Sequence, residues 1–524
     1  MSNQKSTLYY LPIVASLFTV IGLLLGKYLY QDGSLVSFSG NDGKVEEVIS
    51  TVVDRYVDIV DQTEITDHAI VSLLEQLDPH STYLPASKVP RVREQMRGNF
   101  VGIGIEFRII DDSLVVVSPI KGGPSEVAGM LSGDRLIGLN GEEVSLGKLS
   151  TDSLISLLRG KAGSELSILV YRPFSKKKIT VNLTRKEIPI YSIDASFLLN
   201  DSTAFVKINR FAQKTPVELK TAVKQLIKEG ANNLIIDLRG NPGGSLTSVK
   251  EMCNEFLSEG DTILSTRRQG EIDMSVADGT GSFKKIPLVI IVDRNSASAS
   301  EILTGTLQDN DRAIIVGRRT FGKGLVQAVI SLQDKSRINL TIAKYHLPSG
   351  RCIQKPYVKD QLQKYRAEHS ERIEGKNFNN LPDSLKYYTK SGRPVYAQSG
   401  VSPDIFIPFD TTYITKFSLQ LSAKDIIRDL VVKFYNAERL TGSSAIECLE
   451  RIDEEQLIET LRAYSLKKDI EWNEKEWGIS RLYVLNKIKA YIVRMKFGKN
   501  GYFKISSSMD QDILKAQNAS LKKD

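Results

Sequence analysis

The chain has 524 residues, too many for a single hydrophobic core, so about three domains are expected. Hydrophobic residues make up 41% and charged residues 25%, an ordinary balance for a folded globular protein. The net charge of +8 is mild for this length, and no basic run is interleaved with aromatics, so no nucleic-acid partner is indicated; attraction to an acidic membrane surface fits the charge equally well. Cys253, Cys352 and Cys448 lie too far apart for a redox or metal spacing. His68, His80, His346 and His369 form no zinc-ligand pattern, so neither a metal nor a cofactor is expected.

In chain order, residues 8–25 carry no charge and lie between Lys5 and Lys27. That length suits a membrane span of about 20 residues. It exceeds the apolar core of about 7–15 residues in a signal peptide, and the exit Gly26-Lys27-Tyr28-Leu29-Tyr30 lacks a small-x-small cleavage site. The expectation is an N-terminal membrane anchor over residues 1–30, with a cleaved signal peptide as the alternative. Either places the bulk of the chain outside the cytoplasm.

Residues 44–96 are expected to be helical, because Val48, Val52, Tyr56 and Ile59, and then Ile70, Leu73, Leu74 and Leu77, recur at helical spacing. From 97 to 186 the pattern changes to short strands, with a hairpin signal at Asn140-Gly141 and one amphipathic helix over 151–158. From 187 to 410 apolar strands at 204–208, 234–238, 288–292, 314–316 and 338–343 alternate with helices, which predicts an α/β core around a buried, largely parallel sheet. The polar stretch 359–393 is expected to be a surface insertion. Residues 411–524 repeat apolar positions at helical spacing, as at Ile426, Leu430 and Phe434, and predict a helical C-terminal domain.

Four segments carry candidate chemistry. Asn295-Ser296-Ala297-Ser298-Ala299-Ser300-Glu301 joins the strand 288–292 to a helix. A serine on such a turn is exposed, and the helix start offers free N–H groups to an oxyanion; a plain helix cap is the simpler use of the same serine. In Phe321-Gly322-Lys323-Gly324-Leu325-Val326-Gln327, glycines flank a lysine. If the segment is extended, Lys323, Leu325 and Gln327 share a face, and Gln327 can orient the amine. Such a lysine is a general base only when burial lowers its pKa by about three units from about 10.4. A solvated lysine in a glycine loop is the alternative, and a phosphate loop does not fit, since Gly324 follows the lysine. Asp237 through Ser245 ends an apolar strand, where ligands of open α/β sheets bind, and Gly243 and Gly244 can aim N–H groups at a developing oxyanion. The segment Val101-Gly102-Ile103-Gly104-Ile105 is a glycine loop entering a strand, suited to binding a peptide by strand addition with its carboxylate on backbone amides.

Taken together, these segments resemble the carboxyl-terminal processing (tail-specific) serine protease family with a PDZ domain. The resemblance runs from Leu77-Asp78-Pro79-His80-Ser81-Thr82-Tyr83 to Gly400-Val401-Ser402-Pro403-Asp404 and includes Pro348-Ser349-Gly350-Arg351, before which Leu347 replaces a commoner threonine. It implies Ser298 as nucleophile, Lys323 as base and Gln327 as the group that orients the lysine. It also implies an oxyanion hole from backbone amides, placed at Ala299 and one of Gly243 or Gly244. The implied fold is a crotonase-like protease core over 187–410, preceded by an all-β/α PDZ domain over 97–186 and flanked by helical regions 44–96 and 411–524. The implied activity is endoproteolysis of proteins whose free C-terminal tails the PDZ domain captures, at the inner membrane and facing the periplasm. The helical terminal regions can serve a homo-oligomer or an adaptor. Two rivals are a protease using His346 as base, and a membrane-tethered PDZ scaffold with a silent core.

Overall fold

In the computed structural model the described residues are 16, 19–21, 43–143, 149–358, 365, 382–397, 399–437, 442 and 444–520. The chain divides into two compact units, Met1–Leu73 and Leu74–Asp524. The helical stretch predicted near residue 45 is two helices, Lys44–Arg55 and Gln62–Glu75. The break has a local cause: Tyr56 turns extended, and the Asp61 carboxylate accepts the N–H groups of Thr63 at 2.7 Å and Glu64 at 3.2 Å, which caps a new helix.

The expected membrane anchor requires correction. Among the described residues no helix is long and apolar enough to cross a membrane. Only positions 16 and 19–21 of the apolar stretch are described, as helix, and the rest of it lies outside the described residues. The single-pass inner-membrane placement, with its periplasmic orientation, falls with the anchor. Most of the polar stretch 359–393 also lies outside the described residues.

In the second unit, the strands Ile105–Ile110, Ser113–Pro119, Arg135–Leu139, Glu165–Arg172 and Lys177–Thr184 form an antiparallel sheet in that spatial order. The helix Thr151–Leu158 falls where its periodicity predicts, with Ser150 as cap, and buries Leu154 and Leu158 against Leu114, Val116, Ile168 and Val170.

The central sheet has β1 (Ile193–Leu198) antiparallel to β2 (Thr203–Ile208), followed by β3 (Asn233–Asp237), β4 (Leu288–Val292), β5 (Ile314–Gly317) and β6 (Ile405–Phe406), all parallel. Its inner strands are apolar throughout because both faces are covered. One face packs Val206, Leu234, Ile236 and Ile290 on helices that include α1 (Ala299–Asp309). The other packs Phe205, Ile235, Val289 and Ile291 on Ile513 and Ala516 of α2 (Gln511–Ser520).

The stretch 338–343, expected in this parallel sheet, belongs elsewhere. It lies within Arg337–His346, which pairs antiparallel with Leu325–Ser331. Ser331 faces Arg337 across a tight turn, and strands joined so closely must run antiparallel. Their sheet also holds Thr82–Leu84, Thr262–Arg268 and Glu271–Val276. The C-terminal helices bury a core of their own that includes Leu430, Leu461, Val484 and Ile488, and Ile110 and Val115 of the antiparallel domain pack into it. Arg108 pairs with Asp425 at 2.9 Å and Lys433 with Asp111 at 2.7 Å across the same contact.

Candidate active site

Ser298 stands between β4 and α1 with φ 55° and ψ −115°. An ordinary helix cap sits in the extended region. A non-glycine residue at positive φ costs about 1–3 kcal/mol and persists only where its surroundings enforce it. The strain separates this serine from a routine cap, and its enforcement comes from two directions.

The first is Gly243. A Cβ there would lie 2.8 Å from Ser298 Cβ, 2.7 Å from Ala297 O and 2.9 Å from Ala299 N, so the two turns interlock only because this residue lacks a side chain. The Gly243 N–H donates to Asn241 Oδ1 at 2.9 Å. Gly244 is pinned by the backbone of Phe211, which accepts from Ser245 N–H at 2.7 Å. Among the described residues no acceptor takes the N–H of Gly244 or of Ala299. Of the two glycines, Gly244 therefore has the amide to spare.

The second is Glu301, a residue whose part the sequence did not disclose. Its side chain is fully buried and accepts four hydrogen bonds: Ser298 N–H at 2.9 Å and Lys323 N–H at 2.8 Å on one oxygen, Thr320 Oγ1 and Gly322 N–H, each at 2.6 Å, on the other. One carboxylate thus fastens the serine turn to the lysine loop. Burial pushes its pKa up to about 7, against the four donors, which favour the charged form. Replacing Glu301 by Gln keeps size but turns an NH2 toward at least one N–H donor. The expected result is a fall in kcat of about 10²-fold, the scale of a small misplacement of reacting groups, with about 2 kcal/mol of stability lost. Steady-state kinetics beside thermal unfolding checks both.

Lys323 is half-buried in the loop before Leu325–Ser331. Its Nζ donates to Gln327 Oε1 at 2.7 Å, and Gln327 Nε2 donates in turn to the carbonyl of His80. The ladder shifts register between Val326 and Gln327, yet Gln327 still reaches the amine as the sequence suggested. Burial holds the Lys323 pKa below the ordinary lysine value, while Asp78 and Glu301 pull the other way. Tyr345, also unread in the sequence, donates its buried hydroxyl to Lys323 O and, at 3.4 Å, to Ser298 O. Alternation along that strand turns His346 to the opposite face from Tyr345, away from the serine. His80 sits beside Lys323 and Gln327, but burial and then Lys323 lower its pKa to about 4, and its Nε2 meets Tyr365 Oη at 2.8 Å.

The candidate peptide-binding residues divide. Val101 and Gly102 lie on Asn99–Gly102, which pairs with Lys186–Pro189. Ile103 O accepts the N–H and hydroxyl of Ser125 at 3.0 and 2.7 Å, which fixes the loop. Gly104 turns at φ 75°, and Ile105 starts the outermost strand of the antiparallel sheet, so one edge of that strand is open within the sheet.

Comparison with known proteins identifies the family. Residues 202–363 match the model of peptidase family S41, and residues 101–183 match the PDZ domain. The chain is 34% identical over 316 residues to the carboxy-terminal processing protease CtpB of Bacillus subtilis, covering 60% of this chain and 65% of that protein. It is 33% identical over 315 residues to a carboxy-terminal-processing protease of Bartonella bacilliformis, covering 59% of this chain and 71% of that one. Among solved structures, the photosystem II D1 C-terminal processing protease is 26% identical, covers 69% of this chain and 92% of its own, and overlays with a TM-score of 0.35. This chain belongs to the carboxy-terminal processing proteases of peptidase family S41, a family of serine-type peptidases, and carries a PDZ domain.

Proposed function

We propose that this chain is a serine endopeptidase that captures free protein C-termini on its PDZ domain and cleaves with Ser298 and Lys323. The observation that carries the reading is the Glu301 carboxylate, which binds the backbone of both residues at once, beside a strained serine and a lysine whose amine Gln327 holds. In the proposed reaction Ser298 Oγ attacks the scissile carbonyl carbon and its proton passes to neutral Lys323 Nζ. The oxyanion accepts from the Gly244 and Ala299 N–H groups. The C–N bond then breaks as the lysine ammonium protonates the leaving amine; water, deprotonated by Lys323 Nζ, next attacks the acyl carbon, and the ester C–O bond to Ser298 breaks as the ammonium returns its proton to Ser298 Oγ. Gln327 orients the amine, and Gly243 shapes the turn.

The proposed domains are 44–96, helical apart from the strand Thr82–Leu84, a PDZ domain over 97–186, a crotonase-like core over 187–410 and a helical 411–524. The tail would add as a strand at the open edge beginning at Ile105, its carboxylate on the segment Val101 to Gly104. A silent PDZ scaffold would have no use for a strained serine beside a lysine of lowered pKa.

The pH profile of kcat/KM tests the reading. Lys323, its pKa lowered by burial, must be neutral, and Glu301, its pKa raised to about 7, must be charged, so activity rises with pH and is lost in acid. Glu301's effect on stability has the opposite sign. Its raised folded pKa means the native state binds the proton more tightly, so its contribution is full below the unfolded value and is lost as pH rises through 7. Acid loss of activity should therefore precede acid unfolding. His346→Ala should leave the profile in place; loss of the acid limb in that variant would transfer the base to the histidine.

A further inference from the structure

The stretch matched by the family model ends at residue 363, and the C-terminal helices have no assigned part in the reaction. Their last helix, α2, touches the turn that carries Gly243 and Gly244 through a chain of ion pairs. Asp237, wholly buried at the end of β3, accepts Lys207 Nζ at 3.0 Å and the N–H and Nη2 of Arg239 at 2.8 and 2.7 Å. Arg239 then reaches out of the core. Its Nη1 donates to Asp510 Oδ1 and to Asp512 Oδ2, each at 2.9 Å, and its Nη2 lies 2.9 Å from Asp510 Oδ2. Asp512 continues to Arg318, accepting Nη1 at 2.9 Å and Nη2 at 2.5 Å.

Arg318 directly follows β5, on the segment that leads to Lys323, and its own N–H donates to Val292 O at the end of β4. Asp512 therefore bridges the glycine turn and the segment that leads to the lysine. Lys207, Arg239 and Arg318 face Asp237, Asp510 and Asp512, so the charges balance only while α2 is in place. The pairs are shielded: the side chains of Arg239, Arg318 and Asp512 are 18%, 14% and 8% exposed. At such sites an unpaired charge is costly, and the Arg239 backbone must shift to relieve it.

We infer that Asp510 and Asp512 are positioning residues for the reaction, holding the turn of Gly243 and Gly244 in register with Ser298 through Arg239. This rests on the proposed reading of Ser298 as nucleophile and Gly244 as oxyanion donor. The helix itself docks by Ile513 and Ala516 on the sheet, so the latch can be removed without removing the helix.

The test uses the full chain with Asp510→Asn, Asp512→Asn and the double variant. Asp510 Oδ1 accepts the N–H groups of Asp512 at 3.0 Å and Ile513 at 3.2 Å, a cap that asparagine retains. Expected for the double variant are a kcat about ten-fold or more lower with KM within about two-fold, short of the 10²–10³ typical of losing one oxyanion donor outright. Affinity for a peptide aldehyde, whose tetrahedral adduct needs the oxyanion donors, should fall in step, while affinity for the matching unreactive peptide stays. A folded double variant with unchanged kcat and unchanged aldehyde affinity overturns the inference. Should the double variant not fold, Asp510→Asn alone decides by the same two readouts, with an expected fall of about three-fold in each. Ser298→Ala run in parallel separates the premises: if it still cleaves at the wild-type rate, the nucleophile assignment fails whatever the latch variants do.

Discussion

Replacing Lys323 by methionine is expected to lower kcat by about 10⁴-fold or more, the scale seen when a nucleophile loses its base, with stability unchanged or higher. Methionine fills the same half-buried space without a proton acceptor. It also removes an amine that burial disfavours as an ammonium, which offsets the lost contact with Gln327 Oε1 and the lost attraction of Asp78 and Glu301. Capture of a peptide tail by the PDZ domain should be unaltered. The decisive comparison is single-turnover acylation beside thermal unfolding of the same preparation. A structural lysine would show the reverse: lost stability with retained chemistry.

Gly243→Ala is the second substitution of large effect, and it acts on backbone rather than on a reacting group. The new methyl would stand 2.7–2.9 Å from Ala297 O, Ser298 Cβ and Ala299 N, and none of the three belongs to the far end of a flexible side chain. Residue 243 also has φ 100°, where any L side chain is strained. Relief requires the two turns to part, which moves the nucleophile and the Ala299 amide together. The expected loss is about 10³-fold in kcat, with about 1–3 kcal/mol of stability lost through strain and overpacking. Gly392→Ala makes a fair comparison: it shares a positive φ, at 86°, but has open space around its Cβ site, so it should cost stability modestly and leave kcat alone.

Much of this arrangement is legible in the sequence because it depends on near neighbours. The strand 288–292 announces itself by five apolar residues, and the small residues after it mark a turn into a helix. The spacing from Lys323 to Gln327 survives even a shift in the ladder between them. Other parts depend on partners far along the chain. Glu301 reads as an acidic residue in a first helical turn, a common and mildly stabilising place for one; its partners Thr320, Gly322 and Lys323 come from another segment. Tyr345 reads as an aromatic in a strand. Asp510 lies 271 residues from Arg239, and no local pattern joins them. The run 338–343 reads as a strand but pairs with Leu325–Ser331 instead of the parallel sheet, because apolar residues in a short run do not say which edge they meet. The apolar run at 8–25 illustrates the converse: hydropathy predicts a span, and among the described residues no helix meets that requirement.

In the proposed reaction Ser298 carries the acyl group and Lys323 makes it reactive. Reaction with an alkyl fluorophosphonate, followed by peptide mass analysis across a pH series, addresses both halves at once. A single adduct is expected on Ser298, with a rate of formation that rises with pH in the wild-type chain and is lost in Lys323→Met. An adduct on another serine, or labelling of Ser298 in Lys323→Met at the wild-type rate, would contradict it.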